Sequence, residues 1–188
     1  MISHTTVRSG RLSLGWLTSS DRLADAIGRR LDDAYHWFRH VAPGGIEPVE
    51  AVLVGPGGTW AISTAGERGR FTRRNGHWYR WNRSTESWVP WDAVPITAAR
   101  LAARRLGLYL ERASLPGAVQ PLLLPPAEMA VLREPGQEPG LIIEREPDRL
   151  AALVSAEERL TQPQVDRIVA LLDPRQPLPR LAPSAPSG

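Results

Sequence analysis

Residues 49–65, VEAVLVGPGGTWAISTA, contain the signals that decide the fold of this chain. Two runs rich in apolar and β-branched residues, 49–54 and 59–64, flank a Gly-Pro-Gly-Gly segment at positions 55–58. This spacing predicts a β-hairpin with a four-residue loop, in which a type II turn places Pro56 second and Gly57 third. Counting outward from the loop pairs Val54 with Thr59, Val52 with Ala61 and Glu50 with Ser63, and paired residues share one face of the sheet.

The alignment brings three positions, Glu50, Ser63 and Ala65, onto one face of the hairpin. The segment resembles the NERD (nuclease-related) domain, a relative of the PD-(D/E)xK restriction-endonuclease-like fold. In that family the first strand opens with an acid, and the second strand ends in an acid, a spacer residue and a lysine. Position by position, the first acid falls on Glu50, the second on Ser63 and the lysine on Ala65. The resemblance spans about residues 23–172, and it implies an α/β fold with a mixed central sheet and flanking helices.

The resemblance also implies what chemistry is missing. Two carboxylates on one face can hold a divalent cation, and a neighbouring lysine can help to position the attacking water. Only Glu50 remains of this set, so we expect a nuclease-like scaffold without catalytic residues, metal or cofactor. The family also tends to carry a glutamine shortly after a proline, at the entry to a helix. That position falls near Ala98 in this chain, which is a further departure from the family pattern. An alternative is a metal-dependent nuclease with relocated ligands, Glu67 or Asp25, in which case magnesium or manganese would be the cofactor.

Composition excludes several classes of protein. All 23 basic residues in the Lys+Arg count are arginines, so the chain has no Schiff-base lysine and no Walker lysine. It has no cysteine, which excludes disulfides, thiolate metal sites and cysteine nucleophiles. No apolar run reaches transmembrane length, and the N-terminal residues lack the continuous apolar core of a signal peptide. We therefore expect a cytoplasmic location and no membrane partner.

Charge and aromatic residues concentrate in the first part of the chain. Residues 1–115 carry 16 arginines against 10 carboxylates, whereas residues 116–188 carry 7 against 10. Arginines neutralise phosphates and aromatic rings stack on bases, so their mixture around residues 68–83 predicts contact with DNA or RNA. The predicted contact residues are Arg68, Arg70, Arg73, Arg74, Trp78, Arg80, Trp81 and Arg83.

Two other interpretations of this arginine and aromatic segment stay open. Its aromatic rings could pack on the core while its arginines face water or stack on tryptophan. The chain would then be a protein-interaction or structural module that does not bind nucleic acid. Trp60, which lies on the hairpin face opposite Ser63, is predicted to belong to the core.

The remaining pattern predicts alternating strands and helices. A first helix is expected from Ser19 or Ser20 to about Val41, and later helices at 96–113, 147–155 and 161–172. Strands are expected at 70–74 and 77–81, joined by a type I′ turn at Asn75-Gly76, and at 88–91, 119–124, 129–132 and 141–144. Strands on either side of a crossover helix imply a mixed sheet with helices on both faces.

The ends of the chain and one possible metal site complete the predictions. We expect residues 1–17 to form a loose N-terminal arm, residues 18–173 to form the NERD-like domain, and the Pro-rich residues 174–188 to form a disordered tail. Asp32, His36 and His40 would lie along one side of the first helix. That spacing can bind zinc, but we interpret it as a solvated helix face because a third strong ligand is lacking.

Overall fold

The computed structural model describes residues 1–4, 19–42, 47–132 and 140–173. In chain order the described elements are β1 (Ile2–His4), α1 (Ser19–Gly28), β2 (His36–Val41), β3 (Val49–Gly55), β4 (Gly58–Thr64), β5 (Gly69–Arg74), β6 (His77–Asn82), β7 (Ser87–Pro90), α2 (Val94–Arg112), β8 (Val119–Leu124), β9 (Met129–Leu132), β10 (Ile142–Ile143), α3 (Pro147–Val154) and α4 (Gln162–Leu172). None of the described helices combines the length and the apolar character needed to span a bilayer.

The larger sheet has six strands in the order β1-β2-β3-β4-β8-β10. Strands β2, β3 and β4 pair antiparallel, whereas β1 with β2, β4 with β8, and β8 with β10 pair parallel. Apolar residues of α1 and α3 form a core cluster with one face of this sheet, and those of α2 and α4 form a cluster with the other face. The predicted α/β class and the mixed sheet between helices are confirmed.

The GPGG hairpin has the predicted register and a different loop. Val54 pairs with Thr59 and Val52 with Ala61, as predicted, and Trp60 is buried in the core. Gly55 also pairs with Gly58, so the loop has two residues instead of four. The positive φ lies on Gly58, at 124°, and not on Gly57, so the predicted type II turn is wrong. Close packing, described below, is the reason for glycine at position 57.

The first helix is shorter than predicted. Helix α1 ends at Gly28, and residues 36–41 form strand β2, paired with β3. The reason is that Trp37 and Phe38, consecutive residues, are both buried and belong to core clusters on opposite sides of the sheet. A strand can bury successive residues on opposite faces, whereas an amphipathic helix buries one stripe. The predicted helix that would align Asp32, His36 and His40 along one side is therefore absent from residues 19–42.

The second sheet was not predicted as a separate unit. It has four strands in the order β7-β6-β5-β9, with β5 parallel to β9 and antiparallel to β6. Asn75 and Gly76 have φ angles of 49° and 84°, which confirms the predicted type I′ turn. Phe71 of β5 and Met129 of β9 join a third core cluster with Ile96 at the beginning of α2.

The other predicted elements agree with the structure, except at the N-terminus. Helices α2, α3 and α4 and strands β7 to β10 lie within a few residues of the predicted bounds. At α4 the predicted Thr161 cap is part of a capping box, in which the Gln164 side-chain oxygen accepts the Thr161 N–H at 2.8 Å. Residues 2–4 are not a loose arm, because they pair parallel with β2. The rest of the arm, residues 5–17, and the predicted tail lie outside the described residues.

Candidate nucleic-acid interface and the Glu50 hairpin

Glu50 is held by a hydrogen bond network at the edge of the first hairpin. Its side chain is half-buried, and Oε2 accepts hydrogen bonds from the backbone N–H and from the hydroxyl of Thr64, both at 2.9 Å. These two bonds tie the beginning of β3 to the end of β4. The carboxylate therefore has a structural role.

The other two positions to which the resemblance assigns catalytic roles, Ser63 and Ala65, carry no charge. Ser63 is half-buried near the end of β4. Ala65 is buried in the third core cluster with Phe71 and Ile96, and its N–H donates to the carbonyl of Leu124 at 2.9 Å. A methyl group thus occupies an apolar environment at position 65.

The relocated candidates do not complete a metal site. Strand β4 ends at Thr64 and an exposed glycine follows, so the strand does not extend to Glu67, which is half-buried in the connection to β5. Asp25 is exposed on α1. Across residues 1–4, 19–42, 47–132 and 140–173, no group of three or more His, Asp or Glu side chains comes together as a metal site.

The hydrogen bonds of Glu50 lead to a prediction that separates a structural role from a catalytic one. We expect Glu50→Ala to lower the free energy of unfolding by about 1–3 kcal/mol, because the two Thr64 donors lose a charged acceptor. Glu50→Gln keeps an acceptor oxygen and should lose less. Urea denaturation measures both variants. Incubation of the parent protein with DNA and manganese is expected to leave the DNA intact; cleavage that Glu50→Gln abolishes would contradict the structural assignment.

One face of the second sheet carries arginine side chains that lie over tryptophan rings. The pairing of β5, β6 and β7 places Arg70, Arg74, His77, Tyr79, Trp81 and Trp88 together on this face, which we call the outer face. The guanidinium carbon of Arg70 lies 5.7 Å from the centre of the Trp81 ring, and that of Arg74 lies 5.3 Å from the Trp88 ring. The two tryptophan rings meet edge to face, with centroids 5.3 Å apart.

The opposite face of the same sheet packs against the core at Phe71 and Trp78, whereas Arg80 on that face is exposed. Arg73 pairs with Trp78 and Phe71 with Arg80, so these four residues share that face. Trp78 packs against the third core cluster and meets the Trp91 ring edge to face at 6.0 Å. The predicted contact residues therefore lie on two different faces of the sheet, and Trp78 packs against the core.

A cleft opens where strands β5 and β6 separate. Their pairing begins at Phe71 and Arg80, although β5 already pairs with β9 at Gly69 and β6 continues with β7 to Asn82. The resulting space, which we call the fork cleft, has a volume of about 520 Å³. Its lining includes Arg68, Arg80, Trp81, Asn82, Arg83 and Glu128.

The sequence prediction missed part of this site. Six of its eight residues belong to the outer face or the fork cleft, but Trp88, Tyr79 and His77 were not included. For Tyr79 and His77 the Asn75-Gly76 turn contains the missing signal, because a type I′ turn fixes the register and hence the face of each residue of β5 and β6. No match to this chain is found among protein-family models, curated proteins or solved structures.

Proposed function

We propose that this chain is a non-catalytic, NERD-like nuclease-related domain that binds nucleic acid through the outer face. The observation that supports the proposal most directly is the position of the Arg70 guanidinium over the Trp81 ring and of the Arg74 guanidinium over the Trp88 ring. A guanidinium in cation–π contact with a ring still has N–H donors that can reach phosphate oxygens. The contact also orders the long side chain in advance, which lowers the entropy cost of binding.

The local charge supports the same ligand class. Residues 68–92, which include all of β5, β6 and β7, contain six arginines and two carboxylates, Glu86 and Asp92. Such a surface attracts a polyanion and raises its association rate. Aromatic rings between the arginines add an affinity for bases that a purely basic surface lacks.

The vestigial positions support a function without cleavage. Glu50 is engaged by Thr64, and Ser63 and Ala65 have no charge with which to bind a cation or to activate water. The proposed domain therefore uses neither magnesium nor manganese, and it recognises nucleic acid without processing it. We place it in the cytoplasm.

The proposal predicts a loss of binding when the outer face is reversed in charge. We expect R70E/R74E to weaken binding of a fluorescein-labelled 20-nucleotide single strand about tenfold or more, because two phosphate contacts are lost. The slope of log affinity against log salt should decrease by about 1.4 for two lost contacts. Fluorescence anisotropy at several salt concentrations measures both quantities.

The matched control is R22E/R167E, which makes the same change of charge at exposed positions on α1 and α4. It should change affinity and slope much less. Equal losses in the two double variants would contradict the outer face as the interface. An absence of binding by the parent protein at low salt would contradict the function and favour a protein-interaction module. Thermal melting of each variant verifies that it is folded.

A further inference from the structure

The fork cleft adds a second group of arginines beside the outer face, and the two share Trp81. Resting on the proposed function, we propose that the ligand is a single-stranded nucleic acid whose backbone phosphate enters the fork cleft while its bases stack along the outer face. The ligand class is thus single-stranded nucleic acid, and the fork cleft is the binding site for its backbone.

The cleft has the charge and size for a phosphate with its sugar. Arg68 precedes β5, Arg80 lies within β6 and Arg83 follows β6, so three segments bring guanidinium groups to one opening. All three arginines are exposed. Glu128 is the carboxylate in the lining, which leaves an excess of positive charge. A volume of about 520 Å³ exceeds what a single ion needs and lies in the range of small-ligand sites.

The shape of the second sheet excludes insertion of its face into a duplex. Four strands at about 4.8 Å spacing place the outer strand axes about 14 Å apart, whereas the major groove is about 12 Å wide. Strand β9 flanks β5 as far as Leu132, which pairs with Thr72. Strand β7 flanks β6 as far as Pro90, which pairs with Tyr79. Among the residues that the structure describes, only the tip of the β5–β6 hairpin extends beyond them.

Stacking on tryptophan likewise requires bases that are not paired in a helix. Tyr79, Trp81 and Trp88 of the outer face are half-buried within a sheet, in contrast to a wedge that could enter a base step. Unpaired bases offer their faces to such a platform, and phosphates alternate with them along the strand. Trp81 lines both surfaces, so one nucleotide can stack there while its phosphate reaches the cleft.

The experiment compares single and double strands of the same sequence by fluorescence anisotropy. The probe is a 5′-fluorescein 20-nucleotide DNA, used alone and as its blunt duplex. We expect the single strand to bind about tenfold more tightly or better. R80E/R83E should weaken binding of the single strand about tenfold and reduce its salt slope, and R22E/R167E serves as the control for charge.

Base stacking is tested with a strand that has the same phosphates and several abasic sites. The parent protein should bind the abasic strand more weakly than the intact one, and Trp81→Leu should remove most of that difference. A merely structural role for Trp81 would weaken binding of both strands alike. Thermal melting verifies that each variant is folded.

The outcomes separate this inference from the proposed function. Equal affinity for single strand and duplex, or full affinity of R80E/R83E, would overturn the inference and leave nucleic-acid binding intact. An absence of binding to either probe would overturn both. Competition by polyglutamate at the same charge concentration as the oligonucleotide would overturn the inference and indicate an acidic protein segment as the partner.

Discussion

Replacing Gly57 with alanine is expected to lower the free energy of unfolding by about 3 kcal/mol, the upper part of the range for overpacked sites. A Cβ atom built on Gly57 would lie 1.6 Å from the carbonyl oxygen of Val154, at the end of α3. Both atoms belong to elements whose backbone is fixed by packing, so a side-chain rotation cannot relieve the contact. The turn or the end of α3 must move.

The surroundings of the turn explain why movement is costly. A Cβ atom on Gly55 would lie 2.2 Å from the Tyr35 ring, and the Tyr35 hydroxyl donates to the same Val154 carbonyl at 3.3 Å. Burial raises the pKa of this hydroxyl above its ordinary value, so it stays a donor further into the alkaline range. The carbonyl of Pro56 accepts from the N–H groups of Arg159 and Leu160, at 2.8 and 3.0 Å.

Gly66→Ala is the matched control, because it makes the same chemical change at an exposed glycine. A Cβ atom there meets nothing within 4 Å, and Gly66 has no left-handed φ. The control should leave the stability unchanged or raise it slightly by restricting the unfolded chain. Urea denaturation of both variants measures the difference. Equal midpoints for the two would contradict the packing of this turn against α3.

The local features of the fold were predictable from the sequence. Both hairpins follow from their turn residues, and the register of the first one follows by counting from the glycines. Helix α2 follows from buried residues at helical spacing: Ile96, Ala99, Ala103, Leu106 and Leu110. In each case the information lies within one turn or one helix, where propensity and pattern act together.

The features that depend on distant partners were not predictable. Residues 36–41 satisfy a helical stripe as well as a strand, and only their neighbours β1 and β3 decide between the two. The second sheet requires β5 to pair with β9, about 60 residues further along the chain, for which the sequence has no local signal. The candidate binding site was predictable to the same extent. The alternation of arginine and tryptophan in the sequence indicated most of its residues. The fork cleft was not predictable, because it forms where β5 and β6 stop pairing with each other and pair only with β9 and β7.

The bond from Thr64 to Glu50 shows the same limit for this end of the first hairpin. The hairpin register places the end of β4 near Glu50, and a carboxylate there can either face water or accept backbone donors. Which of these occurs depends on where β4 ends, and strand ends are poorly determined by pattern. That Ser63 and Ala65 carry no charge, by contrast, is evident from the sequence itself.

Phe71→Ala is expected to lower the free energy of unfolding by about 3–5 kcal/mol. Phe71 is fully buried, its ring lies 4.4 Å from the Trp91 ring, and it packs in one cluster with Ile96 of α2. Its removal leaves a cavity between the second sheet and that helix, where surrounding strands and helix restrict collapse. Phe71→Leu retains most of the volume and should lose considerably less. Urea denaturation followed by tryptophan fluorescence measures both variants.

The same variant tests how the binding face is supported. Phe71 lies between Arg70 and Thr72 on β5 and points away from the outer face, so it cannot contact the ligand directly. We therefore expect Phe71→Ala to weaken oligonucleotide binding only through its loss of stability, with affinity restored on cooling or in sucrose. R70E/R74E should do the reverse, losing affinity while its denaturation midpoint stays near that of the parent protein. If Phe71→Ala kept the stability of the parent and still lost binding, the assignment of the two faces would be wrong.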